Sequence, residues 1–164
     1  MIIVPDDKPV LFLLCGLPES GNREVAQELS EDLEIPIVSY EAVRRGATGG
    51  TVPQGMGHKF MDWCCDMIGY YLNLGQSVVY DAQNLSADTR RPFIQTARGL
   101  GAHCFAVWTV CDPRTLRQRL LEAQFPAEVF QVAQAAFERP GLEEGFSEIA
   151  VWETGNFPVL GGQE

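Results

Sequence analysis

The chain is short of cations: 12 Lys and Arg stand against 22 Asp and Glu, a net charge of -10 at pH 7. Binding along nucleic acid relies on many cations that neutralise phosphates, so extended contact with DNA or RNA is disfavoured. A small phosphorylated ligand, or one nucleic-acid end in a local basic pocket, is not. Arg44-Arg45, Arg90-Arg91 and Arg114, Arg117, Arg119 are the basic groupings, and a solvated surface accounts for them equally well. Long apolar runs are lacking too, none approaching the roughly 20 residues of a membrane span. The start, Met1-Ile2-Ile3-Val4-Pro5-Asp6-Asp7-Lys8, does not order basic, apolar and small residues as a signal peptide does. The expectation is a cytoplasmic protein without a membrane partner. His58 and His103 have no companion at catalytic spacing, and Cys15, Cys64, Cys65, Cys104 and Cys111 show no metal-ligand spacing. Buried thiols are expected rather than a disulfide or a zinc site.

What is present is a globular composition. A chain of 164 residues with 46% apolar residues fits one domain, residues 1–164, with 154–164 expected as a loose tail. Short apolar runs alternate with helical patterns. Val10–Cys15, Ile35–Ser39, Ser77–Tyr80, His103–Thr109 and Ile149–Trp152 read as strands. Helices are expected from the phosphate-loop region to Asp32, over Tyr40–Arg45, from Lys59 to Asn73, over Ala87–Leu100 with a kink or late start at Pro92, over Arg114–Glu122, and after Pro126. Gly46–Gly57 carries five glycines and a proline and is expected as a loop. The aromatic stripe Phe60, Trp63, Tyr71 and the row Val129, Val132, Ala133, Ala136, Phe137 are expected in the core. Such alternation predicts an α/β three-layer sandwich around a parallel sheet of about five strands.

The stretch with chemistry follows the first strand. Gly16-Leu17-Pro18-Glu19-Ser20-Gly21 places two glycines as in the phosphate-loop pattern, Gly, four residues, Gly, Lys, then Ser or Thr, between a strand and a helix. Where the pattern has a lysine for the terminal phosphates there is Asn22, and where it has a hydroxyl for Mg²⁺ there is Arg23. Backbone N–H groups and a helix N-terminus attract an anion whatever the side chains are. Phosphate binding therefore stays open beside an ordinary strand-to-helix turn. Lysine and metal provide most of the charge stabilisation in phosphoryl transfer, so efficient transfer is not expected unless Arg23 substitutes. Asp81, directly after a strand, suits a carboxylate that holds water around Mg²⁺, and Glu41 and Arg44 fall just beyond another strand end, where ligands of parallel sheets bind.

Taken in order, VLFLLCGLPESG, VSYEAVRRG, VVYDAQNLSADTRRPFIQTARGLG, FAVWTVCDP, FPAEVF and FERPGLEEGFSEI resemble the kinase domain of the polynucleotide-kinase-like branch of the phosphate-loop kinases, over nearly the whole chain. The resemblance implies a nucleotide held by Gly16–Arg23, with ATP and Mg²⁺ as cofactors. It implies that Glu41, in place of the usual aspartate, acts on the acceptor hydroxyl, that Arg44 holds the acceptor, and that Asp81 and Asn84 match an Asp-Ala-Thr-Asn segment with Gln83 for threonine. It also implies a lid arginine where this chain has Ala123, leaving Arg117 or Arg119 as substitutes. The leading expectation is a degenerate phosphate-loop kinase-like protein with weakened or lost catalysis and a nucleotide or phosphate-ligand pocket. The alternatives are an active kinase acting on a small molecule or a polynucleotide 5′ end, and a protein-interaction module without a nucleotide site.

Overall fold

The computed structural model describes residues 2–5, 7–48 and 55–155. In chain order they form β1 (Val10–Cys15), α1 (Asn22–Leu33), β2 (Ile37–Ser39), α2 (Tyr40–Thr48), α3 (Gly57–Asn73), β3 (Val78–Asp81), α4 (Ala87–Gly99), β4 (His103–Cys111), α5 (Pro113–Glu122), α6 (Ala127–Ala136), a 3-10 turn at Leu142–Glu144, and β5 (Glu148–Thr154). The five strands make one parallel sheet in the order β2-β3-β1-β4-β5.

β1 is apolar throughout because it is the central strand and both its faces are covered. Leu11, Leu13 and Cys15 enter the core beneath α3 and α4, with Cys64, Ile68, Phe93 and Ile94. Val10, Phe12 and Leu14 enter the opposite core with Val25, Ala26 and Leu29 of α1. Phe12 meets Phe105 edge to face at 5.7 Å. Each fully buried Leu or Phe side chain contributes roughly 1.5–3 kcal/mol. The result is the expected three-layer α/β sandwich.

Helix ends follow local chemistry. Ser86 accepts a hydrogen bond from the Thr89 N–H and caps α4, while Asp112 accepts from the Thr115 N–H and caps α5, whose first residue is Pro113. α4 neither starts late nor breaks at Pro92. That residue faces solvent, where water can serve the Asp88 carbonyl left by the missing N–H. All five cysteines are free thiols, and Cys15, Cys64 and Cys104 are buried.

Several expectations are corrected. α2 continues through Gly46 to Thr48, supported by Glu41 pairing with Arg44 and Arg45 at helical spacing; residues 49–54 of the expected loop lie outside the described residues. On α3 the buried row is Phe60, Cys64, Ile68 and Leu72, whereas Trp63 and Met67 are 45% and 42% exposed, because the sheet covers only one side of the helix. On α6 only Ala133 is buried, and Val129 and Val132 lie open, since among the described residues no element packs extensively on that helix. The helix expected over Ala87–Leu100 ends at Gly99, and Leu100 is exposed.

Arg90 is the opposite case: a residue that composition allows to be solvated is fully buried. Its guanidinium pairs with Glu144 through Nε–Oε1 at 2.8 Å and Nη2–Oε2 at 3.0 Å, and donates to the carbonyls of Asn84, Glu138 and Arg139. All five donors are met, which is what makes a buried arginine tolerable.

Candidate functional site

The C-terminal ends of β1, β2 and β3 open into a cleft of about 840 Å³. Its walls include Leu17, Pro18, Glu19, Gly21, Asn22 and Arg23 from the loop and start of α1, Glu41 and Arg45 from α2, and Asp81 and Asn84 after β3. Parallel-sheet topology thus gathers segments 60 residues apart in sequence at one edge, beside the point where the connection of β1 leaves toward β2 and that of its neighbour β4 leaves the other way, toward β5.

The loop is shaped by packing and backbone conformation. A Cβ on Gly16 would stand 2.1 Å from Thr109 Oγ1 and 2.6 Å from Ser20 Oγ. Gly21 has φ 107° and a Cβ there would meet Thr154 Cγ2 at 2.9 Å, so neither position admits a side chain. Glu19 also has a left-handed backbone, φ 63°. The Gly16 N–H is spent on the Gln83 carbonyl at 2.9 Å, and the Ser20 N–H on Leu17 at 3.1 Å. At the start of α1, by contrast, Gly21 provides no capping side chain. The first N–H groups of that helix therefore carry the positive end of its dipole at the cleft wall.

Asn22 does not reach into the cleft as a phosphate-loop lysine would. Its Nδ2 donates to the Ala82 carbonyl at 3.1 Å, and its Oδ1 accepts from the Thr109 hydroxyl. Since the single Thr109 proton goes to Asn22, Ser20 Oγ is the donor in the 2.9 Å contact with Thr109. A neutral chain, Ser20 to Thr109 to Asn22 to Ala82, stitches loop, β4, α1 and the end of β3 together. Nothing in the Gly-x-x-x-x-Gly spacing announces Thr109, which comes from β4 and is buried. Thr154, expected in a loose tail, closes β5 and donates to the Ser20 carbonyl at 2.5 Å; residues 156–164 lie outside the description.

The charged residues divide into two groups. Glu41 is clamped by Arg44, through Nε–Oε2 at 2.9 Å and Nη2–Oε1 at 2.5 Å, and by Arg45 Nε at 2.9 Å. The Arg44 hydrogen bonds and charge, with Arg45, hold its carboxyl below the usual glutamate range despite partial burial. Arg44, expected to hold the acceptor, does not line the cleft, whereas Arg45, expected only as half of a basic pair, does. Asp81 behaves in the reverse sense: desolvation raises its pKa, the Arg23 charge opposes that rise, and Glu24 adds to it. Asp81 and Arg23 both line the cleft. Asn84, with φ 48°, donates from Nδ2 to the Leu14 carbonyl at 2.6 Å, and its buried Oδ1 has no hydrogen-bond partner among the described residues.

Arg117 and Arg119 do not line the cleft. Arg117 is exposed, and Arg119 lies against the outside of the loop, with Nη1 3.5 Å from the Glu19 carbonyl. Phe125, in the turn between α5 and α6, does line it. Among the described residues no group of three or more His, Cys, Asp or Glu side chains gathers about one point, so a divalent ion would depend on Asp81 and on oxygens brought by the ligand. A cleft of this volume is within the range of small-molecule sites, and the donors at the start of α1 fit phosphate oxygens. The lysine position does not reinforce them.

A five-stranded parallel sheet with this loop between its central strand and the next helix defines a phosphate-loop kinase-like fold. The chain belongs to the AAA domain family, whose model matches residues 11–140. No curated protein sequence matches it. Among solved structures it is similar to a candidate kinase from Chloroflexus aurantiacus, with 16% identity, TM-score 0.73 and coverage of 91% of this chain and 87% of the other. It is similar also to Chaetomium thermophilum Kti12 in complex with ADP-AlF3, at 16% identity and TM-score 0.71 over 87% and 88% of the two chains. A third similar structure is Mycobacterium tuberculosis APS kinase CysC in complex with AMPPNP and APS, at 14% identity and TM-score 0.64 over 88% of each. At such identities the likeness is one of fold. Among the described residues no helix is long and apolar enough to cross a membrane.

Proposed function

We propose that this chain is a cytoplasmic, degenerate kinase of the polynucleotide-kinase-like branch, holding a nucleotide or small phosphorylated ligand on the amides at the start of α1 and transferring phosphate poorly or not at all. The observation that carries this reading is the engagement of Asn22: a short neutral amide, tied to Ala82 and Thr109, takes the position from which a lysine ammonium would neutralise transferred charge. Losing one charge-assisted contact of that kind costs roughly 1.5–3 kcal/mol in a ground state. In a transition state, where charge concentrates, the loss is larger. Glu41 is held ionised by two arginines, so it is a weak base and serves better to orient an acceptor than to deprotonate one.

Isothermal titration with Mg·ATP tests this. The native chain is expected to bind weakly and to release no ADP, and Asn22→Lys with Arg23→Ser to bind roughly 10–100-fold tighter, the equivalent of one recovered charged contact. Micromolar binding by the native chain, together with turnover on a hydroxyl acceptor, would overturn it. One observation favours a second reading, an active kinase using Arg23 as the displaced cation: the Arg23 charge lies close enough to Asp81 to oppose its rise in pKa. Under that reading Asp81 holds water around Mg²⁺ and Arg44 holds the acceptor. An Arg23→Ala protein with unchanged turnover rules it out.

A further inference from the structure

α3 has a face that the cleft does not use. Trp63, Met67, Tyr70 and Leu74 follow one another at four-, three- and four-residue steps and are 45%, 42%, 63% and 63% exposed. At about 100° per residue they fall within roughly 60° of one another on the helix. The stripe covers some 16 Å of helix length at 1.5 Å per residue. Single exposed apolar residues need no explanation, but a continuous row of Trp, Met, Tyr and Leu has the composition of an interface centre. Trp63 is propped edge-on against Phe60 at 5.6 Å, and Tyr70 against Tyr71 at 5.7 Å, so two of the four side chains are held in place while remaining open.

The charges on the same exposed arc identify the occupant. Asp62 and Asp66 run along one flank of the stripe, both exposed, and neither makes an ion pair among the described residues. Lys59 is the one cation of that arc, at its beginning. A second copy would bring the same two carboxylates and a net charge of -10 to the contact, which opposes self-association. An anionic surface is opposed for the same reason. What complements an apolar row with one acidic flank is an apolar row with one basic flank. We propose that the outer face of α3 docks an amphipathic helix of another protein whose apolar stripe is bordered by Lys or Arg.

Fluorescence anisotropy with labelled synthetic helices of about four turns, roughly 14 residues, tests this on the whole chain. One helix has a leucine stripe flanked by lysine, the other the same stripe flanked by glutamate. The lysine helix is expected to bind at least tenfold tighter. Tyr70→Ser with Leu74→Ser is expected to weaken it at least tenfold without changing the melting temperature, and Asp62→Asn with Asp66→Asn to do so in a salt-sensitive way. Trp63→Ser provides a further variant, read beside its circular dichroism because Trp63 rests on buried Phe60. Equal binding of the two helices, absence of binding by either, or binding indifferent to the stripe substitutions would overturn the proposal. So would sedimentation that reveals a dimer dissolved by those substitutions, since the occupant would then be a second copy.

Discussion

The two helical flanks of the cleft invert what their sequences suggest. α1, NREVAQELSEDL, is charged along most of its length, yet it anchors Val25, Ala26 and Leu29 in the core. α6, AEVFQVAQAA, has one acid and no cation, yet it buries only Ala133, and Val132 is 70% exposed. The difference lies in what each helix rests on. α1 follows β1 after the loop Gly16–Gly21 and packs on the sheet, whereas α5 buries no residue of its own and α6 follows it. The loop side of the cleft is therefore built as part of the core, whereas α5 and α6 lie outside it and the chain is tied back just after α6, by Phe137 against Trp108 at 6.0 Å and by the Arg90 bonds to the Glu138 and Arg139 carbonyls.

Breaking the buried tie between α4 and the segment that follows α6 gives the largest effect. Arg90→Ala strands Glu144 and frees three carbonyls, and urea denaturation is expected to show a loss of about 3–5 kcal/mol. Leu29→Ala on α1 is next, at about 2–5 kcal/mol for a buried leucine whose cavity only partly collapses, while Val132→Ala on α6 stays within about 0.5 kcal/mol. Equal costs for these two would end the contrast between the flanks. Thr109→Val leaves Asn22 Oδ1 and the Ser20 hydroxyl without their shared partner. A loss of about 1–3 kcal/mol is expected, with hydrogen exchange quickening at the start of α1 and not in α6.

The smallest effect concerns pH. Because burial raises the Asp81 pKa, the native state favours the protonated acid. Its contribution to stability is fully present below the ordinary aspartate range and is lost as pH rises through the raised folded value. Asp81→Asn is therefore expected to raise the melting temperature near neutral pH, with the gain shrinking toward acid. Glu41 has the opposite sign: its lowered pKa adds stability above the ordinary glutamate range, lost as pH falls through the depressed value. A gain for Asp81→Asn that is independent of pH would show that packing rather than titration is responsible.

Much of this fold was legible in the residues. β1 was expected at Val10–Cys15 and lies there, and the helix expected from the phosphate-loop region to Asp32 is α1, Asn22–Leu33. β4 was read short by two residues because Val110 and Cys111 approach the Asp-Pro cap. The outer helices were less legible, since a 3.6-residue apolar period says that a face exists but not that anything lies against it. The α3 row was thus expected in the core, where only Phe60, Cys64, Ile68 and Leu72 are buried. At the cleft, Glu41, Asp81 and the Gly16–Arg23 loop could be named from position relative to strand ends. Arg45 was legible only as half of a basic pair, and Thr109, Phe125 and Thr154 were not legible as parts of the site, because their approach to it is set by sheet pairing and by the path of the chain after β4 and β5 rather than by their sequence neighbours.

By itself the sequence determined the alternation of strand and helix, the glycines that let a loop turn tightly between β1 and α1, and an asparagine, Asn22, where the phosphate-loop pattern has lysine, because these depend on local sterics and on the identity of single side chains. Tertiary structure alone decided that Asn22 is spent on Ala82 and Thr109, that Arg44 and Arg45 hold Glu41 ionised while burial draws Asp81 toward its acid form, and that α3 turns an apolar row outward. Hydrogen-bond partners, desolvation and exposure are properties of what the rest of the chain brings alongside a residue, and sequence neighbours do not specify them.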